Sequence, residues 1–140
     1  PFQIFHSEKA IFFAYEYAGA VRNIYLEDPG PAPMDSWMGQ SWGYWDGNTL
    51  VVEASGFNDQ TWFDRSGNYH SDKLKVTERY TLKNKHIMFY EATIEDEEVF
   101  TRPWKISMNL YKRVGKDAQL QQFKCVEFVE ELFYGQWRGN

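Results

Sequence analysis

The sequence predicts a single all-β domain over residues 1–140, an antiparallel up-and-down, lipocalin-like barrel of about eight strands. Three observations carry that prediction. Aromatic residues make up 19% of the chain (6 Trp, 9 Tyr and 11 Phe), an excess that suits half-buried pleated surfaces and concave ligand sites alike. Apolar and polar residues alternate in short runs, as one-sided strands require. Tight-turn chemistry separates several of those runs. At this length there is room for one core and not for two, and a sandwich is the second architecture the pattern allows.

Taken in order, the chain opens at Pro1 without Met and enters a strand-like run almost at once, as a processed or trimmed product would. Strands are expected at 11–17 and 21–26. Asp28-Pro29-Gly30-Pro31-Ala32-Pro33 then reads as a surface loop, because proline bars helix and ladder bonding. Strands at 41–45 and 49–55 flank Trp45-Asp46-Gly47-Asn48, where Asp-Gly between aromatic and β-branched runs signals a hairpin. Strands at 74–82 and 87–94 are joined by Lys83-Asn84-Lys85-His86, and further strands are expected at 104–113 and 120–129. A helical turn is expected over 130–137.

The charge balance removes whole classes of function. Net charge is −5 and no run of Lys or Arg occurs, so the basic stripe that nucleic acid demands is missing. No stretch approaches a membrane-spanning helix, and no basic amphipathic helix suits a lipid surface. A lone Cys125 excludes an internal disulfide or a paired-cysteine zinc motif, and it has no evident partner for nucleophilic catalysis. No phosphate-cradling glycine loop occurs, and no cofactor is expected.

The polar residues that alternation turns inward are the chemical signal. Across 74–82, Leu74, Val76, Glu78, Tyr80 and Leu82 share a face, so Glu78 is a carboxylate among apolar neighbours. A two- or four-residue turn at Asn84-Lys85 pairs Leu82 with Ile87, Tyr80 with Phe89 and Glu78 with Glu91. Two facing carboxylates require a shared proton or a cation between them. Arg22, with Glu16 on the preceding strand, is the candidate cation, its direction depending on the turn at 17–20. A satisfied buried ion network with no catalytic role explains the same residues.

A long polar loop, 56–72, forms the second constellation, and such loops are disproportionately functional. Trp62 and Phe63 would cap a barrel mouth while Asp59 or His70 addresses a ligand. His70 is the best acid–base candidate of the three histidines, with Asp64 and Asp72 near in sequence to orient it. Local turn chemistry is the competing explanation, since Asn, Asp and Ser bond their own backbone. Asp64, Asn68, His70 and Asp72 lack the spacing of a known metal motif, and no metal site is expected.

Several of these stretches resemble a family of largely uncharacterised bacterial proteins, many of them exported. The matching residues are Trp37-Met38-Gly39-Gln40-Ser41, Trp45-Asp46-Gly47-Asn48-Thr49-Leu50-Val51-Val52-Glu53 and Gly56-Phe57-Asn58-Asp59-Gln60-Thr61-Trp62-Phe63-Asp64. His70-Ser71-Asp72, Glu78-Arg79, Thr101-Arg102-Pro103-Trp104 and Cys125-Val126-Glu127 match as well. Position 40 departs, since the family's pattern more often has His where this chain has Gln40. The resemblance implies a lipocalin-like barrel and a periplasmic or secreted location, and it implies no particular reaction.

Three functions follow from these residues. The first is a cofactor-independent acid–base enzyme, of isomerase, cyclase, dehydratase or lyase type, acting on a small apolar or aromatic molecule inside the barrel. In it Glu78 or Glu91 is the buried acid or base and His70 its partner at the mouth, with Asp59 a further candidate. Arg22 and Glu16 would bind polar groups of the substrate, and Trp62, Tyr80 and Trp104 would pack its body. The second is a carrier of the same kind of molecule. The third is a carbohydrate-binding surface of Trp37, Trp42 and Trp45. Pairing of two copies through an exposed strand edge is a further expectation.

Overall fold

The computed structural model describes residues 1–64, 66–121 and 129–137. Among the described residues eight strands lie in one sheet in chain order: β1 (Phe2–His6), β2 (Ala10–Tyr15), β3 (Val21–Tyr25), β4 (Gln40–Asp46), β5 (Thr49–Ser55), β6 (Lys75–Asn84), β7 (Ile87–Glu95) and β8 (Trp104–Tyr111). The sheet curls into a half barrel in which, among the described residues, β1 and β8 come first and last, so the all-β, barrel-like expectation is met. A helix, α1 (Val129–Tyr134), and a 3₁₀ turn (Gly135–Trp137) occupy the place of the expected helical turn. β1 is the strand-like run that follows Pro1. Of the strand expected at 120–129, Leu120 and Gln121 lie in no strand, Val129 opens α1, and the remainder, Cys125 included, lies outside the described residues.

Local chemistry sets each junction. Between β4 and β5 the last pair is Asp46 with Thr49, which leaves Gly47-Asn48 as a two-residue turn. Gly47 has φ +60° at the first central position, the place a type II′ turn reserves for glycine. Between β3 and β4 the pairing is parallel, with only Ile24–Ser41 and Tyr25–Trp42 as partners. This corrects the expected uniform meander. The prolines at 29, 31 and 33 bar a tight reversal, and the long segment 26–39 returns the chain to run alongside β3, as parallel pairing requires.

A second correction has a larger consequence. Between β6 and β7 the ladder slips across Leu82 and Asn84, because the Asn84 Oδ1 accepts from the His86 and Ile87 amides at 2.9 and 3.1 Å. Leu82 therefore faces Met88, Tyr80 faces Tyr90, and Glu78 faces Ala92. A one-residue slip exchanges the two faces of a strand. Glu91 consequently lies opposite Arg79 on the outer face, and the expected inward pair of Glu78 with Glu91 does not form.

Register then builds the inner face across the sheet. Phe13 lies beside Arg22, Ile24 beside Ser41, and Val52, Glu78, Ala92 and Ile106 follow one another across four strands. Ile11, Phe13, Ile24, Leu50, Val52 and Tyr80 form the main core, and Leu74, Ala92 and Ile94 a second one. Tyr90 packs against both. Burying a side chain such as Phe13 or Ile24 stabilises the fold by about 1.5–3 kcal/mol each. Gly43 keeps β4 close to this core: a Cβ there would stand 2.9 Å from the Ile24 side chain and 3.0 Å from the Val51 carbonyl oxygen.

Candidate functional site

On the middle of this inner face β6 places Glu78, 5% exposed. Its Oε1 accepts two phenol hydrogen bonds, from Tyr80 and from Tyr90, each 2.9 Å. Its Oε2 meets the Arg22 Nη2 at 2.5 Å and makes no further hydrogen bond. The 3₁₀ turn Tyr17–Gly19 settles the direction of Arg22: it aligns Phe13 with Arg22, and Phe13 is core. The Arg22 Nε in turn donates to the Ser41 Oγ at 2.9 Å. Residues from β3, β4, β6 and β7 thus converge on one buried ion pair. Desolvating such a pair costs several kcal/mol per ion, and only close geometry with further hydrogen bonds offsets it.

The cluster holds its own protonation. Burial opposes the Arg22 charge, but the Glu78 carboxylate outweighs it and lifts the guanidinium above its ordinary value. Burial, reinforced by the negative charge of Glu78, pushes the Tyr80 and Tyr90 phenols up, so both remain donors. Burial also raises Tyr15, with Arg22 beside it pulling the other way.

A cleft of about 300 Å³ reaches this cluster from the flank. It opens where β3 and β4 pair over two positions only, and Val21, Met34 and Met38 line it together with Gln40, Arg22 and Ser41. Its volume lies at the lower end of the range for small-molecule sites, and its lining mixes apolar surface with a few polar groups, as those sites do.

His70 belongs to a different group. It is 4% exposed, and both ring nitrogens are engaged. The Ser71 carbonyl oxygen lies 2.9 Å from Nδ1 and only accepts, so Nδ1 carries a proton, and Nε2 shares a hydrogen bond of 2.6 Å with the Thr61 hydroxyl. Phe57 and Phe63 pack on the ring at centroid distances of 6.1 and 5.2 Å, and Phe63 stands edge-on to Trp104 at 5.7 Å. Beyond the ring, the Ser71 amide and hydroxyl donate to Asp96 at 2.6 and 2.8 Å. Burial opposes ionisation of Asp96, but these bonds and the Glu98 amide hold its carboxyl below the ordinary carboxylate value.

The expected site residues therefore separate. Glu78, Arg22 and Tyr80 come together. His70 and Trp104 share the second group, and the expected orienting carboxylates are elsewhere. Asp64 accepts from Ser66 and Asn68 within its own exposed turn, and Asp72 pairs with Lys73 at 3.0 Å. Trp62 is 70% exposed, so it caps nothing, and Phe63 is the loop aromatic that packs inward. Asp59 lies exposed in the loop. Glu91 pairs with Lys105 on the outer face at 3.0 Å. Glu16 accepts from the Gln121 amide and lies 3.8 Å from Arg113, where it ties down the chain beyond β8. Among the described residues no group of three or more His, Cys, Asp or Glu is placed to hold a metal ion.

Three members of the cluster were missed from the sequence. Tyr15 shares parity with Phe13 and was legible by alternation. Tyr90 was hidden by the slip at Asn84, and Ser41 by the parallel pairing, which no local signal announces. No protein-family model, no curated protein and no solved structure matches the chain.

Proposed function

We propose that this chain is an acid–base enzyme for a small, mostly apolar or aromatic molecule, working at the Arg22–Glu78 cluster. One observation carries the reading: a desolvated Arg–Glu pair, bonded by two tyrosines, stands beside a cleft of about 300 Å³ whose wall includes Arg22 and Ser41. The apolar body of the substrate packs on Val21, Met34 and Met38, and a polar oxygen turns toward Arg22, which stabilises negative charge as it develops. Glu78, paired behind Arg22, takes or returns the proton, and Tyr80 and Tyr90, kept protonated by their surroundings, hold its carboxylate in place. Native mass spectrometry of the purified chain, followed by extraction of any retained molecule, gives the compound class to assay. Glu78→Gln then lowers kcat by about 100- to 10,000-fold, and unchanged turnover sinks the proposal.

A carrier role is the second reading, and a specific feature favours it. Arg22 donates to Ser41 and pairs with Glu78, and both tyrosines already donate to Glu78. Such mutual engagement is what a fixed, orienting network looks like. A molecule bound by wild type and by Glu78→Gln, and released unaltered by both, would select it. The carbohydrate surface fares less well. Trp37 and Trp45 are exposed, but Trp42 and Trp45 are of opposite parity on β4 and do not form one stacking platform.

A further inference from the structure

We infer that Ser41 is a specificity-determining donor in the cleft and selects molecules that carry a neutral carbonyl oxygen. The inference rests on the cleft being the binding site of the proposed function, and it holds whether the bound molecule is turned over or carried. Ser41 is 1% exposed yet lines the cleft, at the point where β3 and β4 begin to pair. A hydroxyl has one hydrogen to donate. The Ser41 Oγ accepts from the Arg22 Nε at 2.9 Å, so that hydrogen points away from the guanidinium. An acceptor oxygen in the cleft would receive it, beside the guanidinium that Ser41 holds.

The backbone of β3 adds to the same wall. The Tyr15 amide donates to the Ala20 carbonyl at 2.8 Å, and the Leu26 amide to the Lys9 carbonyl at 2.9 Å. Even-numbered residues of β3 therefore turn their peptide groups toward β2. Those of Val21 and Asn23 turn the other way, toward the cleft that both residues line. Glu78 decides the charge of the oxygen. It already pairs with Arg22, so a ligand carboxylate would bring a second negative charge to the same guanidinium. A carbonyl uses the donors without adding charge. Met34 and Met38 suit an aromatic body, because thioethers pack well against rings. Small aryl ketones have this combination.

Amide NMR titrations of the purified chain with acetophenone, ethylbenzene and benzoate test the inference. The expected shifts centre on 21–23 and 39–41. Acetophenone, which differs from ethylbenzene chiefly by its oxygen, binds about tenfold more tightly, as one hydrogen bond gives. It also binds more tightly than benzoate. Ser41→Ala removes only the hydroxyl and binds acetophenone and ethylbenzene alike. Equal affinities for those two on wild type overturn the inference without any variant. Benzoate binding most tightly overturns it too, as does a preference that survives in Ser41→Ala. Each of those results leaves the cleft standing as a binding site. No shift at 21–23 or 39–41 with any of the three contradicts the cleft reading itself, and the inference falls with it.

Discussion

Glu78 and His70 are almost equally buried, at 5% and 4% exposed, yet they are held in opposite ways. The polar partners of His70 are near in sequence: Thr61, nine residues away, and the Ser71 carbonyl, one residue away. Glu78 is charged, and its partners come from three strands, with Arg22 far along the chain. The first arrangement pins a loop at small cost, since each group exchanges a bond to water for a bond to protein. The second carries a desolvation cost that an apolar core of the same shape would avoid. A fold can use either to stay folded. Only the second places charged groups beside a cleft, which is why the proposed function rests there and not on the histidine.

The comparison breaks first at Arg22. Arg22→Met leaves the Glu78 charge buried without its cation, and the expected loss is about 3–5 kcal/mol, read from urea midpoints. His70→Phe keeps the ring stack but leaves the Thr61 hydroxyl and the Ser71 carbonyl without a partner, a loss of about 1–3 kcal/mol. It leaves bound small molecule and turnover unaffected, because His70 touches neither the cleft nor Glu78. Loss of turnover in His70→Phe with the fold intact would reverse the ranking of the two groups. Tyr90→Phe removes one hydrogen bond to a charged acceptor and costs about 1.5–3 kcal/mol, with turnover falling as well. Lys105→Ala removes an outer-face pair whose lysine is well exposed, and its effect on stability stays within about 1 kcal/mol.

The two groups also answer pH from opposite ends. Tyr15, Tyr80 and Tyr90 titrate higher in the folded chain than their ordinary value near 10. Above that value the unfolded chain has lost protons that the folded chain keeps. Their contribution is therefore complete below about pH 10 and is lost as pH rises through the folded values. Asp96 is depressed, so its contribution is present above about pH 4 and is lost as pH falls through its folded value. Urea midpoints across pH should fall on both arms. Tyr80→Phe with Tyr90→Phe should flatten the alkaline arm and leave the acid arm as it was.

How much of this was legible in the sequence follows from where the information sits. Strict alternation in 74–82 put Glu78, Tyr80 and Val76 on one face, and that holds, because period-two patterning is local. The facing strand was misread by one residue, because the side chain of Asn84 captures two amides and inserts a bulge that no count of turn residues reveals. That single error put Glu91 in the place of Ala92 opposite Glu78 and turned Tyr90 outward. The inward direction of Arg22 depended on the turn at Tyr17–Gly19, where Ala18 takes φ 57° against its side-chain preference. The carboxylates near His70 in sequence are not its partners: an imidazole in an aromatic pocket is satisfied by a hydroxyl and a carbonyl, and those residues carry no distinctive sequence signal.

The double variant Arg22→Met with Glu78→Gln gives the most direct test of the site. It removes both charges together and keeps an amide oxygen for Tyr80 and Tyr90, so the fold should survive with stability near wild type. Native mass spectrometry of wild type and double variant, purified side by side, then reads what each retains. A small molecule on wild type and a bare chain for the folded double variant are expected. The same molecule retained to the same extent by both would show that the buried ion pair only holds the fold together.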